Sequence, residues 1–177
     1  MPDHETAKKI YRTAHLTGEF VLRSGSISNE YFDKYLFESD PGLLREITEI
    51  MARSVPKGAE VLAGLEMGAI SVVTALSFIT GIPAAFVRKK AKDYGTRKLA
   101  EGADVRGKNV VVVEDVVTTG GQIIESVNEL RALGASVNKV MCVILRDARA
   151  VGILAAEGLA LIPAFTMESI KNAAAGL

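Results

Sequence analysis

A chain of 177 residues, 49% hydrophobic and with 21 basic and 21 acidic side chains, is long enough to bury one sizeable core, and its zero net charge gives no bias toward nucleic acid or a membrane surface. The first residues, M-P-D-H-E-T, lack the regions of a secretion signal, and no apolar run approaches the roughly 20 residues that cross a bilayer. A cytoplasmic protein with neither a nucleic-acid nor a membrane partner is expected.

In chain order, residues 8–16 read as part of a first helix, and 20–37 as a mixed aromatic and polar stretch with little helical period. Asp40 and Pro41 suit the N-cap and first position of a helix over 42–54. A strand is predicted at 60–65, a helix at 68–80 and a strand at 83–88. A polar gap, 89–108, precedes the run N-V-V-V-V-E-D-V-V-T-T-G-G that begins at Asn109. Its unbroken valines suit a central strand covered on both faces. Residues 122–133 place Ile123, Ile124, Val127 and Leu130 at helical spacing, and Gly134 closes that helix. A strand at 137–145, a helix near 148–157, a short strand at 159–165 and a final helix complete the chain. Strands alternating with helices over one uninterrupted sequence indicate a single α/β domain with a mostly parallel sheet flanked by helices and ligand loops at the strands' carboxyl ends. The lone Cys142 lies in an apolar run and reads as a small core residue without chemistry.

The richest chemistry lies at 114–122. A Thr/Gly turn at a helix start offers free N–H groups, two hydroxyls and the positive end of the helix dipole to a phosphate. Glu114 and Asp115 would repel a bare phosphate, but they accept hydrogen bonds from vicinal hydroxyls, so a ribose phosphate fits both halves of the motif. Residues 88–102, R-K-K-A-K-D-Y-G-T-R-K-L-A-E-G, carry six cations in fifteen residues with glycines at Gly95 and Gly102. Such a segment should be mobile, and clustered cations on a mobile loop suit an anionic ligand.

The stretch from Val110 to Gly121 resembles the phosphoribosyl-diphosphate (PRPP) signature of type I phosphoribosyltransferases. The R-K-x-x-K-D-x-G pattern from Arg88 resembles the catalytic loop of the orotate phosphoribosyltransferases within them. The resemblance covers nearly the whole chain, and it implies the type I fold with a small N-terminal hood at about 1–40 and a mobile catalytic loop at about 89–102. The implied reaction converts orotate and PRPP, with Mg²⁺, into orotidine 5′-monophosphate and pyrophosphate in pyrimidine biosynthesis.

Carried over by position, Arg88, Lys89 and Lys92 meet the phosphates, and Lys92 acts from the neighbouring subunit of a homodimer. Lys89, Lys92 and Asp115 are the implied catalytic residues. Glu114 and Asp115 hold the ribose hydroxyls directly or through the water shell of Mg²⁺, with no direct protein ligand to the metal assigned. Val116, Val117, Thr118, Thr119, Gly120, Gly121 and Gln122 form the 5′-phosphate turn. G-E-F-V-L-R-S-G-S-I-S-N-E-Y-F-D-K, residues 18–34, is similar to the hood segment and places Arg23, Tyr31 and Phe32 beside the base. Thr118 reaches toward the base as well, and Arg146, at a strand end, is implied to bind the orotate carboxylate. G-L-E-M-G-A, residues 64–69, resembles the diphosphate-binding loop.

The chain departs from the family pattern at several positions. Tyr94 stands where a histidine often follows the Lys-Asp pair, Leu145 where Asp is usual, and Arg23 where lysine is common. Glu66 and Met67 occupy a loop that often carries lysine, and no side-chain role is assigned to either. G-A-D-V-R-G-K-N, residues 102–109, nearly spells a P-loop but ends in Asn and precedes a strand, so it is given no phosphate role. With only His4 and His15 present, a histidine triad or structural metal is not expected. A phosphoribosyltransferase for another base, such as a purine, and a PRPP-binding regulator without catalysis remain as alternatives.

Overall fold

In the computed structural model, which describes residues 2–21, 25–90 and 98–175, the valine run forms the central strand β6 (Asn109–Val117) of a six-stranded sheet. Numbered in chain order, the sheet strands are β3 (Val61–Leu65), β4 (Ala84–Val87), β5 (Ala100–Gly102), β6, β7 (Ser136–Leu145) and β8 (Ala160–Thr166). Their spatial order is β5-β4-β3-β6-β7-β8, parallel throughout except for β5, which pairs antiparallel with β4 at the edge. Val110 and Val112 feed one apolar cluster and Val111 and Val113 the other, as a strand covered on both faces requires. Helix α5 (Gly121–Ala132) and α6 (Arg149–Ala156) cover the first face. Helices α1 (Pro2–Ala14), α3 (Pro41–Ala52), α4 (Ala69–Thr80) and α7 (Met167–Ala174) cover the second.

The Asp40 cap is as expected: its Oδ1 accepts from the N–H groups of Gly42 and Leu43 at 2.9 and 3.0 Å, with Pro41 in the first turn. The stretch 20–37 is more ordered than its pattern indicates. Strand β1 (His15–Val21) pairs antiparallel with β2 (Ile27–Phe32), and the six-residue helix α2 (Lys34–Ser39) follows. The hairpin exposes most of its residues, and its register shifts between Thr17 and Phe20, so no period-two alternation survives in the sequence. Helix α2 is too short to display a period, yet it has its own cap, Asp33 accepting from the Tyr35 N–H. The polar gap holds a further strand, β5, whose three residues also leave no pattern.

After β3 the chain moves toward one sheet edge through β4, and after β6 toward the other through β7 and β8. The strand order therefore reverses between β3 and β6, the crevice where open α/β sheets bind ligands. The turn after β3 there approaches Asp115, near the carboxyl end of β6.

Candidate active site

The two carboxylates of β6 are adjacent in sequence but not equivalent. Asp115 is 1% exposed. Its Oδ1 accepts from the Val116 N–H at 2.5 Å, and its Oδ2 accepts from Lys34 Nζ of α2. Burial works against the Lys34 charge, but the hydrogen bond and charge of Asp115 outweigh it and raise its pKa. Glu38, one turn further along α2, is also buried, and its Oε1 has no hydrogen-bond partner among the described residues. Burial, and after it the Asp115 charge, push the Glu38 carboxyl up to about 8. Glu114 is pushed up to about 9 by burial and then by its hydrogen bond and charge interaction with Asp115. Near neutral pH Glu38 and Glu114, on either side of Asp115, thus retain their protons.

A pH dependence follows from this arrangement. Between the ordinary value of 4.5 and about 8, the folded chain keeps a Glu38 proton that the unfolded chain has released. Stability therefore falls as pH rises through that window, by at most about 1.4 kcal/mol per pH unit for one such group. A Glu38→Gln variant is expected to lose less of its melting temperature between pH 5 and 8 than the parent chain. Parallel curves for the two proteins would remove this assignment.

The turn after β6 presents Thr118, Thr119, Gly121 and Gln122 at the surface, at the N-terminus of α5. Gly120 adopts φ 81°, a left-handed conformation that glycine takes without strain. Across the crevice, the turn at 64–69 brings Gly68 against Asp115 and Glu38. Glu66 Oε1 accepts from the Lys89 N–H at 2.6 Å, while the Glu66 N–H donates to Val87 O at 2.9 Å. The cationic segment is therefore anchored to this turn at its first residues. Arg88 Nε lies 4.0 Å from Glu101 Oε1 of β5. Arg23, Lys92 and Tyr94 lie outside the described residues.

Tyr31, Phe32 and Arg146, distant in sequence, line one cavity of about 160 Å³ together with His15, Glu30 and Lys171. The strand end delivers Arg146, whose N–H donates to Val117 O at 2.8 Å. Glu30 is held below the usual carboxylate range by the hydrogen bond to His15 Nε2, at 2.9 Å, and by the nearby Lys171 and Arg146 charges. The cavity therefore combines aromatic walls with more positive than negative side chains. Lys34, Glu38, His15 and Lys171 carry no role in the sequence reading. The one local signal for the first two is their i, i+4 spacing behind the Asp33 cap. Cys142 is buried, and burial raises its thiol pKa, which agrees with a core role.

Comparison with known proteins places this geometry. The phosphoribosyl transferase domain profile matches residues 37–156. The chain is 47% identical over 171 residues to an orotate phosphoribosyltransferase of Nocardioides sp., covering 97% of this chain and 96% of that one. It is 40% identical to another from Methanocaldococcus jannaschii, covering 88% of each. The solved Mycobacterium tuberculosis orotate phosphoribosyltransferase in complex with PRPP superposes with a TM-score of 0.83 at 28% identity, over 97% of this chain and 99% of that one. An adenine phosphoribosyltransferase from Thermoanaerobacter pseudethanolicus, at 18% identity and a TM-score of 0.68 over 91% of this chain and 99% of that one, shares the fold. The fold and site define a pentosyltransferase of type I architecture. Within that class, the chain belongs to the orotate phosphoribosyltransferase family.

Proposed function

We propose that this chain transfers the phosphoribosyl group of PRPP to orotate, forming orotidine 5′-monophosphate and pyrophosphate for pyrimidine biosynthesis in the cytoplasm. The observation that carries the reading is the convergence of Tyr31, Phe32 and Arg146 on one cavity beside the 5′-phosphate turn. An aromatic-walled cavity with an arginine and a lysine suits a flat, acidic base. Because the adenine enzyme has the same fold, base choice must lie in such side chains.

In this reading the turn from Val116 to Gln122 holds the 5′-phosphate on its N–H groups and on the Thr118 and Thr119 hydroxyls. Asp115 accepts from the ribose hydroxyls, with Glu114 beside it. The orotate ring nitrogen bonds to the anomeric carbon as the carbon–oxygen bond to diphosphate breaks, the leaving oxygen takes the electron pair, and the ring N–H proton passes to the departing diphosphate or to water. Arg88, Lys89 and Lys92 neutralise the departing charge, Lys92 from a neighbouring subunit, so positioning and electrostatics supply most of the rate. The stretch at about 1–40 supplies the hood, its hairpin lying over the base, and the segment at about 89–102 acts as the catalytic loop.

Mg²⁺ is the cofactor implied. No group of three or more His, Cys, Asp or Glu side chains among the described residues is arranged to hold a metal, and both Asp115 oxygens already accept hydrogen bonds. This donor set fits an ion carried by PRPP oxygens, with Glu114 and Asp115 reaching its water shell. When bound, the ion neutralises diphosphate charge.

The homodimer draws support from an apolar groove beside Glu38, where Tyr35, Met67 and the 86%-exposed Phe78 lie open to solvent. Sedimentation velocity at micromolar concentration is expected to report twice the chain mass, and a single-chain mass would count against the shared loop.

Loss of orotate absorbance that requires both Mg²⁺ and PRPP, run beside hypoxanthine, adenine and uracil, tests the activity. Turnover of orotate alone is expected. Tight PRPP binding with no turnover of any base would instead favour a regulator. Arg146→Ala is expected to raise the KM for orotate by about ten- to a hundredfold, the loss of a charge-assisted contact, while leaving PRPP affinity within twofold. An equal loss for both substrates would count against a base-specific role.

A further inference from the structure

Lys34 ends the hood segment at 18–34 without a role assigned to it there, yet it reaches the most buried carboxyl group of the site. Its Nζ donates to Asp115 Oδ2 across 81 residues of sequence. Three carboxyl groups, Glu38, Glu114 and Asp115, meet at the β3/β6 crevice, and Lys34 attracts all three. The lysine is itself well placed. The Asp33 N–H donates to Ala14 O at 2.8 Å, tying the start of α2 to the end of α1, and the ammonium sits 5.2 Å from the Tyr35 ring centroid.

Asp115 is therefore fixed at both oxygens, by the Val116 N–H on Oδ1 and by Lys34 on Oδ2, and is packed against the bare Cα of Gly68. The Lys34 side chain remains 31% exposed, so this buried carboxyl group is linked through its partner to solvent. A carboxylate that must accept from two hydroxyls works best when its orientation is set before the ligand arrives. Without the lysine, Asp115 would keep one fixed oxygen and face two neighbouring carboxyls.

We propose that Lys34 is the positioning residue for Asp115, holding its carboxylate in the orientation that receives the ribose hydroxyls of the phosphoribosyl donor. This rests on the reading that Asp115 binds those hydroxyls.

The test is titration calorimetry with Mg²⁺ and either PRPP or pyrophosphate, together with steady-state kinetics, on Lys34→Met, Lys34→Arg, Asp115→Asn and the Lys34→Met/Asp115→Asn double variant. Lys34→Met is expected to weaken PRPP binding and raise its KM by about tenfold or more, the scale of one charge-assisted hydrogen bond, with pyrophosphate affinity within twofold and kcat less affected. The double variant should bind PRPP no more weakly than Asp115→Asn alone, since both changes remove one unit. Lys34→Arg should restore most of the affinity. Unchanged PRPP binding in Lys34→Met, additive losses in the double variant, or an equal loss of pyrophosphate would each overturn the proposal. Should Lys34→Met melt below the assay temperature, Lys34→Gln carries the same comparison. Unchanged PRPP affinity in Asp115→Asn would remove the donor-site reading itself, and this proposal with it. Weakened binding there but not in Lys34→Met would remove this proposal alone.

Discussion

A Gly68→Ala variant is expected to lose PRPP affinity by at least about a hundredfold, more than a single methyl group in an ordinary turn would cause. Gly68 has φ −63° and ψ −40°, a right-handed helical conformation open to any residue, so glycine is required there by space and not by backbone freedom. A Cβ at this position would lie 1.6 Å from Asp115 Oδ2, 2.7 Å from its Cγ and 3.1 Å from Glu38 Oε1. Asp115 cannot retreat without breaking its bond to the Val116 N–H or to Lys34. If the turn retreats instead, the start of α4 moves with it, and the two sides of the crevice separate. Either way the carboxylate and the 64–69 turn no longer occupy their places together, and about 1–3 kcal/mol of stability is lost to overpacking.

Gly81→Ala is the control. It has open space around the would-be Cβ but φ +71°, so it should cost about 1 kcal/mol of stability with unchanged PRPP affinity. Calorimetric PRPP titration and thermal melting of the two variants separate space from conformation. Equal affinities would mean that the crevice tolerates the displacement.

What the sequence made legible follows from how local each signal is. The central strand, its turn and its helix are contiguous, so the valine run, the carboxylates and the Ile123–Leu130 period declare themselves within about twenty residues. Asp40 and Pro41 act on their own helix and were equally readable. Lys34 and Glu38 belong to the same crevice but reach it from a six-residue helix far away in the chain. Nothing local separates them from a solvated i, i+4 pair. The hairpin was hidden because a two-stranded sheet that buries little leaves no alternating pattern, and β5 because three residues cannot show one. Tyr31, Phe32 and Arg146 share a cavity through tertiary packing that periodicity does not encode, so the family resemblance, not the residue pattern, brought them together. The inequality of Glu114 and Asp115 was invisible for the same reason: two neighbouring acids look alike until one is paired with a lysine and the other is left to burial.

That inequality sets the second large effect. Asp115→Asn preserves shape but leaves a side chain with one acceptor oxygen where the native group has two. If the amide oxygen takes the Lys34 ammonium, the NH₂ group faces the Val116 N–H. If it takes the N–H, the NH₂ group faces the ammonium. Neither arrangement leaves a charged acceptor for two ribose hydroxyls. Each charge-assisted hydrogen bond contributes about 1.5–3 kcal/mol, so PRPP binding should weaken by roughly a hundredfold or more. Pyrophosphate, which has no ribose, should bind within a fewfold of the parent. The lysine would then need another counter-ion, and Glu38, one turn along the same helix and already acted on by the Lys34 charge, can serve as one. Its proton is retained because of burial and, next, the Asp115 charge; with that charge gone and the ammonium released, the Glu38 pKa should fall. The decline in melting temperature from pH 5 to pH 8 should therefore be shallower in Asp115→Asn than in the parent. Melting curves across that range, with PRPP and pyrophosphate titrations of the same protein, test both statements. Parent-like PRPP affinity would end the ribose role of Asp115, and a parent-like pH slope would show that Glu38 does not take over the lysine's charge.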